Sequence, residues 1–223
     1  MKRLAIRMIH LLAGILLYAV GVVIVLKANV GYAPWDVFHA GLANVTGMSF
    51  GVASIVAGIV VVTIVVIFGE RIGIGTIISM TLTGIFIDII MLLDIVPLSP
   101  NMAIGIAMLV VGLFVVALAT YFYMRSAFGA GPRDNLMVLL KRKTKLPVGV
   151  CRSTVELIVT LAGWRLGGMV GIGTIISVVA VGLFIQLVFT MFKFNPAAIR
   201  HETIIETFRT IASGGKQGQD DPC

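Results

Sequence analysis

The chain has 223 residues, of which 59% are hydrophobic and only 12% charged, with a mean hydropathy of +1.08. Soluble domains carry about 25% charged residues, so this much apolar surface excludes a water-soluble globule and describes an integral membrane protein with no room for a separate soluble domain. The net charge of +7 is the kind of Lys and Arg excess that orients membrane helices and is not read as a nucleic-acid footprint.

After a short basic N-terminus (1–7), the first apolar run covers about 8–26. It follows Lys2, Arg3 and Arg7, as a signal peptide would. Its length and the lack of a convincing small-residue cleavage site set it apart from one. Five further runs follow, at about 50–68, 72–93, 102–124, 148–166 and 170–192. Roughly 20 apolar residues cross a bilayer, and isolated runs must do so as helices, because backbone polar groups cannot go unpaired in lipid. The expected fold is an all-α membrane protein with six transmembrane helices. If the N-terminus is cytoplasmic, all the Lys and Arg residues fall on or near the cytoplasmic side except Lys27 and Arg165; the expected topology is N-in and C-in.

Between the first two runs lies "PWDVFHAGLANVT" (34–46), and between the fourth and fifth "PRDNLMVLLKRKT" (132–144). Each spans only about 20 Å as a helix, too short to cross. Pro suits the first helical position, and Asp36 and Asp134 fall in the first turn, where the helix dipole favours an anion. Each segment is either an interfacial amphipathic helix or a half-helix dipping into the membrane. The tail (193–223) leaves the membrane. Asn195 and Pro196 begin a short amphipathic helix with an Ile204, Ile205, Phe208 and Ile211 stripe, and "KQGQDDPC" reads as disordered.

The corners "GYAPWD" (31–36) and "GAGPRD" (129–134) share a Gly-x-x-Pro-x-Asp pattern, 98 residues apart. At the same offset Gly51 meets Gly149, "GIGTIIS" at 73–79 meets an identical "GIGTIIS" at 171–177, and Gly84 and Phe86 meet Gly182 and Phe184. The chain is thus a repeat of 8–93 and 102–192, joined by an external linker at 94–101. Three spans per copy is an odd number, so the second copy enters from the opposite face. The copies are inverted, as in many secondary transporters; duplication for stability alone is the other reading.

Ionisable residues inside lipid are costly and point to function by default. Glu156 lies within the fifth run with Arg152 four residues earlier, as a local ion pair or as part of a site. Asp88 and its counterpart Gln186 either line a cavity or bond between helices. Trp35 is replaced by Arg133 in the second copy, beside Asp134 and Asn135. The candidate solute-contacting set is therefore Trp35, Asp36, Asp88, Arg133, Asp134, Asn135, Arg152, Glu156 and Gln186. Lys141, Arg142, Lys143 and Lys145 face anionic lipid or dock a cytoplasmic protein. Two separated cysteines and three scattered histidines suggest neither a disulfide framework nor a metal site. No catalytic constellation, nucleotide fingerprint or cofactor motif is readable, so an enzyme is not expected.

The segments "GYAPWDVFHAGLANVTGMSFG" (31–51), "GAGPRDNLMVLLKRKTK" (129–145), "GIGTII" (171–176) and "GLFIQLVF" (182–189) resemble the YczE/YyaS/YitT family of bacterial integral membrane proteins, above all its YczE-like branch. The resemblance covers about 10–192. YitT-type relatives often carry a further soluble C-terminal domain, without counterpart here. It implies a multi-pass bacterial membrane protein and leaves the substrate unnamed. The expected function is a small-solute permease with alternating access; the alternative is a non-transporting helper that binds a cytoplasmic partner.

Overall fold

The computed structural model describes residues 2–70, 72–128 and 131–194, except the side chains of 2–5, 134, 138 and 148. The expected tail helix, Arg71, Gly129 and the Asp134 side chain lie outside the described residues. Eight helices follow in order: α1 (Lys2–Lys27), α2 (Pro34–Thr46), α3 (Phe50–Ile67), α4 (Ile74–Leu92), α5 (Met102–Arg125), α6 (Pro132–Thr144), α7 (Val148–Arg165) and α8 (Ile172–Met191). There is no strand among the described residues.

Five of these, α1, α3, α4, α5 and α8, are long and apolar enough to cross a membrane. The chain is a multi-pass membrane protein. The remaining long run, α7, carries Arg152, Glu156 and Arg165 in 18 residues and does not qualify by composition alone. With α6 it forms a pair bent by 118°.

The centre of the bundle is the antiparallel contact of α1 and α5. It is close because glycines face it: a Cβ on Gly14 would lie 2.7 Å from the Tyr123 backbone nitrogen, and one on Gly112 would lie 3.0 Å from the Gly21 carbonyl oxygen. Small residues let helix backbones approach where lipid supplies no hydrophobic drive. On one flank α4 packs on α1, and on the other α8 packs on α5; α2 lies against α7 and α6 against α3.

Local backbone geometry recurs at the 98-residue offset. Asn29 and Ala127 both have positive φ (55° and 58°), as do Gly47 and Lys145 (72° and 59°), where α2 and α6 end, and Gly69 and Gly167 (83° and 88°). The corners also exchange partners. Gly173 N–H donates to the Val30 carbonyl at 2.7 Å, and Gly75 N–H donates to that of Phe128 at 3.0 Å. Gly31 (φ 109°) seats the first corner on Gly171, where any Cβ would be 2.6 Å from the Gly171 nitrogen.

The connections sort to two ends of the bundle. At one, Arg7 Nε donates to the Ser126 carbonyl (2.8 Å) and Arg142 pairs with Glu70 (3.1 Å). At the other, Lys27 pairs with Asp94, Ser99 N–H donates to the Lys27 carbonyl (2.9 Å), and the Asn44 amide donates to that of Gly167 (2.9 Å).

Gly112→Leu is expected to pry α1 from α5 and lower stability by about 1–3 kcal/mol, the usual cost of overpacking. Thermal unfolding in detergent checks this. Gly58→Ala is the control, since its methyl would meet only the flexible Met80 side chain, at 3.3 Å or beyond; it is expected to leave the transition in place.

Candidate functional site

Both short helices start at Pro, and both N-terminal ends point into the bundle. Pro34, Trp35, Asp36 and Val37 are buried. Trp35 and Arg133, equivalent positions of the repeat, meet there: the guanidinium carbon stands 4.9 Å from the indole centroid. Arg133 also lies 4.0 Å from an Asp36 carboxylate oxygen and donates to the Tyr18 hydroxyl at 3.4 Å. Tyr18 sits nine residues before Lys27, about 13 Å along α1 at ~1.5 Å per residue, so the corners meet at mid-helix depth.

These groups face a cavity of about 240 Å³. Asp36, 6% exposed, is held in the first turn of α2, where burial works against its charge and Arg133 and the helix dipole offset part of that cost. One turn on, His39 is also buried; its Nδ1 lies 3.8 Å from Asp36 and has no hydrogen-bond partner among the described residues. Its ring is packed against Trp35, Phe38 and, edge-on, Phe50. Across the cavity, Arg152 Nε donates to Glu156 at 2.8 Å along α7. Hydroxyls from α3, α4, α5 and α8 (Ser54, Ser79, Thr83, Thr120, Ser177) complete a polar interior with apolar walls. Among the described residues no three His, Cys, Asp or Glu side chains gather in one place.

Of the nine candidates, Trp35, Asp36, Arg133, Arg152 and Glu156 line this one cavity. Asp88 does not; it ties α4 to α3 by accepting from Gly51 N–H (2.7 Å) and the Ser49 hydroxyl. Gln186 is not among the cavity-lining residues and instead lines a crevice between α7 and α8. Asn135 lies outside the cavity lining, its backbone N–H bonded to the Gly131 carbonyl (3.0 Å). The Asp134 side chain is outside the described residues. Tyr18 and His39 were not singled out from sequence. The available signals were a hydroxyl in the middle of the first apolar run and a histidine one turn from Asp36.

Leaving Asp36 buried without its cation should cost stability, while removing both charges should be nearly neutral. Arg133→Ala is expected to cost about 1–3 kcal/mol, moderated by the partial exposure of the guanidinium. The double variant Asp36→Asn, Arg133→Met should recover most of that loss. Thermal unfolding of both proteins and of each single variant checks the cycle.

A family model described as a family of unknown function (DUF6198) matches residues 5–190. The chain is 32% identical over 187 residues to the uncharacterized membrane protein YczE of Bacillus subtilis, covering 83% of this chain and 86% of that one. It is 30% identical over 179 residues to an uncharacterized protein of Haemophilus influenzae (77% and 80% covered), and 23% identical over 191 residues to the uncharacterized protein YyaS of B. subtilis (84% and 92%). No solved structure matches the chain. Matched along nearly all of its membrane-embedded length, the chain belongs to the DUF6198 family, the family of YczE and YyaS.

Proposed function

We propose that the protein is a small-solute permease, built from two inverted three-span halves that alternate access to the shared cavity. The carrying observation is that Trp35 and Arg133, equivalent in the repeat and separated by most of a half-chain, touch at mid-helix depth beside Asp36. Further support is the recurrence of positive-φ positions, the reciprocal bonds from Gly75 and Gly173, and the matched packing of α4 on α1 and α8 on α5. In this reading α2 and α6 are re-entrant half-helices and α7 is the sixth span. Its charges Arg152 and Glu156 face the cavity, while Leu157, Ile158, Leu161 and Trp164 are exposed on the outside as lipid-facing residues would be. The end bearing Arg7, Arg142 and Lys145 is cytoplasmic.

The described charges lining the cavity cancel: Asp36 with Arg133, and Glu156 with Arg152. A solute of either net charge would leave an uncompensated ion in a low-dielectric interior. The site therefore favours a net-neutral solute, uncharged or zwitterionic. At about 240 Å³ the space lies below the ~300–1,000 Å³ of drug-sized pockets, which keeps the solute small. The indole and guanidinium offer it a flat stacking face. The alternative of a helper docking through Lys141, Arg142, Lys143 and Lys145 has less to stand on. Arg142 is tied to Glu70 and to the Phe68 carbonyl, and Lys143 lies over the Phe68 ring.

Purified protein in liposomes is expected to carry small neutral or zwitterionic solutes in preference to anions and cations. Asp36→Asn and Arg152→Ala should each slow that flux about tenfold or more, one lost charged contact being worth roughly 1.5–3 kcal/mol, and Lys145→Ala should not. A screen in which no solute class moves, and none shifts the unfolding temperature, would refute the reading.

A further inference from the structure

The two halves differ at one seam. In the first, α3 and α4 are pressed together: a Cβ on Gly51 would stand 2.0 Å from the Gly84 carbonyl oxygen, and one on Gly84 would stand 2.6 Å from that of Gly51. Asp88 fastens the seam through Gly51 N–H and Ser49. The residues 98 positions on are Pro147, Gly149, Gly182 and Gln186. There the helices stand apart. A Cβ on Gly149 or on Gly182 would meet nothing within 4 Å, and α7 and α8 are not among the packed helix pairs. The gap is a crevice lined by Arg152, Gly182, Gln186, Phe189 and Lys193, and it reaches the cavity, since Arg152 and Ile185 line both.

We propose that the α7–α8 crevice is the open gate of the cavity, and that it closes when Gly149 meets Gly182 and the Gln186 carboxamide oxygen accepts from the Gly149 N–H. The Gly51, Gly84 and Asp88 seam is the second gate, closed in this structure, and the two alternate. This rests on the alternating-access reading above. It explains why two glycines face empty space. A helical glycine costs about 0.5–1 kcal/mol relative to alanine, and a backbone contact made only in the other state gives both a use. It also explains which gate is shut. A carboxylate accepts more strongly than a carboxamide, since charge-assisted bonds are roughly twice as strong as neutral ones, so the Asp88 seam outcompetes its Gln186 counterpart at rest. The open gate lies at the end of the bundle where α6 carries its basic residues, so the resting protein is accessible from that face.

Site-directed cross-linking in liposomes tests this without a known solute. In a Cys151→Ser, Cys223→Ser background, the pair Pro147→Cys, Gln186→Cys occupies the positions equivalent to the touching Ser49 and Asp88 side chains; it gives up the Gln186 bond and so reads the approach of Gly149 to Gly182 alone. A short bis-thiol reagent should bridge it slowly at rest. Bridging should become several-fold faster when the other gate is released, by the wedge Gly84→Leu or, more gently, by Asp88→Asn. Gly182→Leu should fill open space, leave the unfolding temperature unchanged, and suppress bridging. Absence of bridging in all backgrounds, or bridging indifferent to Asp88→Asn and Gly182→Leu, overturns the gate whatever the flux. Bridging that responds as stated while no solute is carried keeps the gate and overturns the transport reading.

Discussion

Backbone N–H and C=O groups inside a membrane have no water to satisfy them, and the protein must supply the partners itself. Where α1 and α5 end, at 28–33 and at 126–128, the chain leaves helix between packed elements and needs partners of the same kind. Each corner is satisfied by the opposite half: the Val30 carbonyl by Gly173, Tyr32 N–H by the Met169 carbonyl (3.1 Å), and the Phe128 carbonyl by Gly75. Neither half could bury its own corner alone. The stable unit is therefore the whole chain, with the α1–α5 glycine contact as its axis and the corners exchanged across it.

Because the corners are exchanged, they meet, and the residues at equivalent positions become neighbours. Two identical residues there would stack tryptophan on tryptophan or press arginine against arginine. The substitution of Arg133 for Trp35 converts the meeting point into a cation over an aromatic face with a carboxylate beside it. The departure from strict repetition thus makes the centre polar, with its charges balanced where they are buried.

Other departures adjust spacing. Gly41 and Gly163 let α2 approach the α7 backbone, where a Cβ on Gly41 would be 2.4 Å from the Gly163 carbonyl oxygen. Their equivalents on α6 and α3 are Leu139 and Val65, both buried, whose bulk holds those helices further apart. The glycines Gly51 and Gly84, which meet, and their equivalents Gly149 and Gly182, which do not, belong to the same pattern: one architecture with two unequal halves.

Much of the architecture was legible in the amino-acid order. Apolar run length located the long helices. Pro34 and Pro132 marked the starts of the short helices, whose ends fall where Gly47 and Lys145 turn left-handed. The 98-residue offset matched corner to corner, and the left-handed positions recur at it. These are local or periodic properties, and they survive in one dimension. Which polar residues converge was not legible. Asp88 and Gln186 read equally as cavity residues or as helix-to-helix bonds, and packing put Asp88 in a seam and Gln186 in a crevice; Tyr18 and His39, not singled out in the sequence, face the cavity, and Arg133 finds Tyr18 across 115 positions of chain. Those outcomes depend on how far apart helices stand, a distance set by glycines and bulky side chains meeting across the bundle, and only the packed tertiary structure decides it.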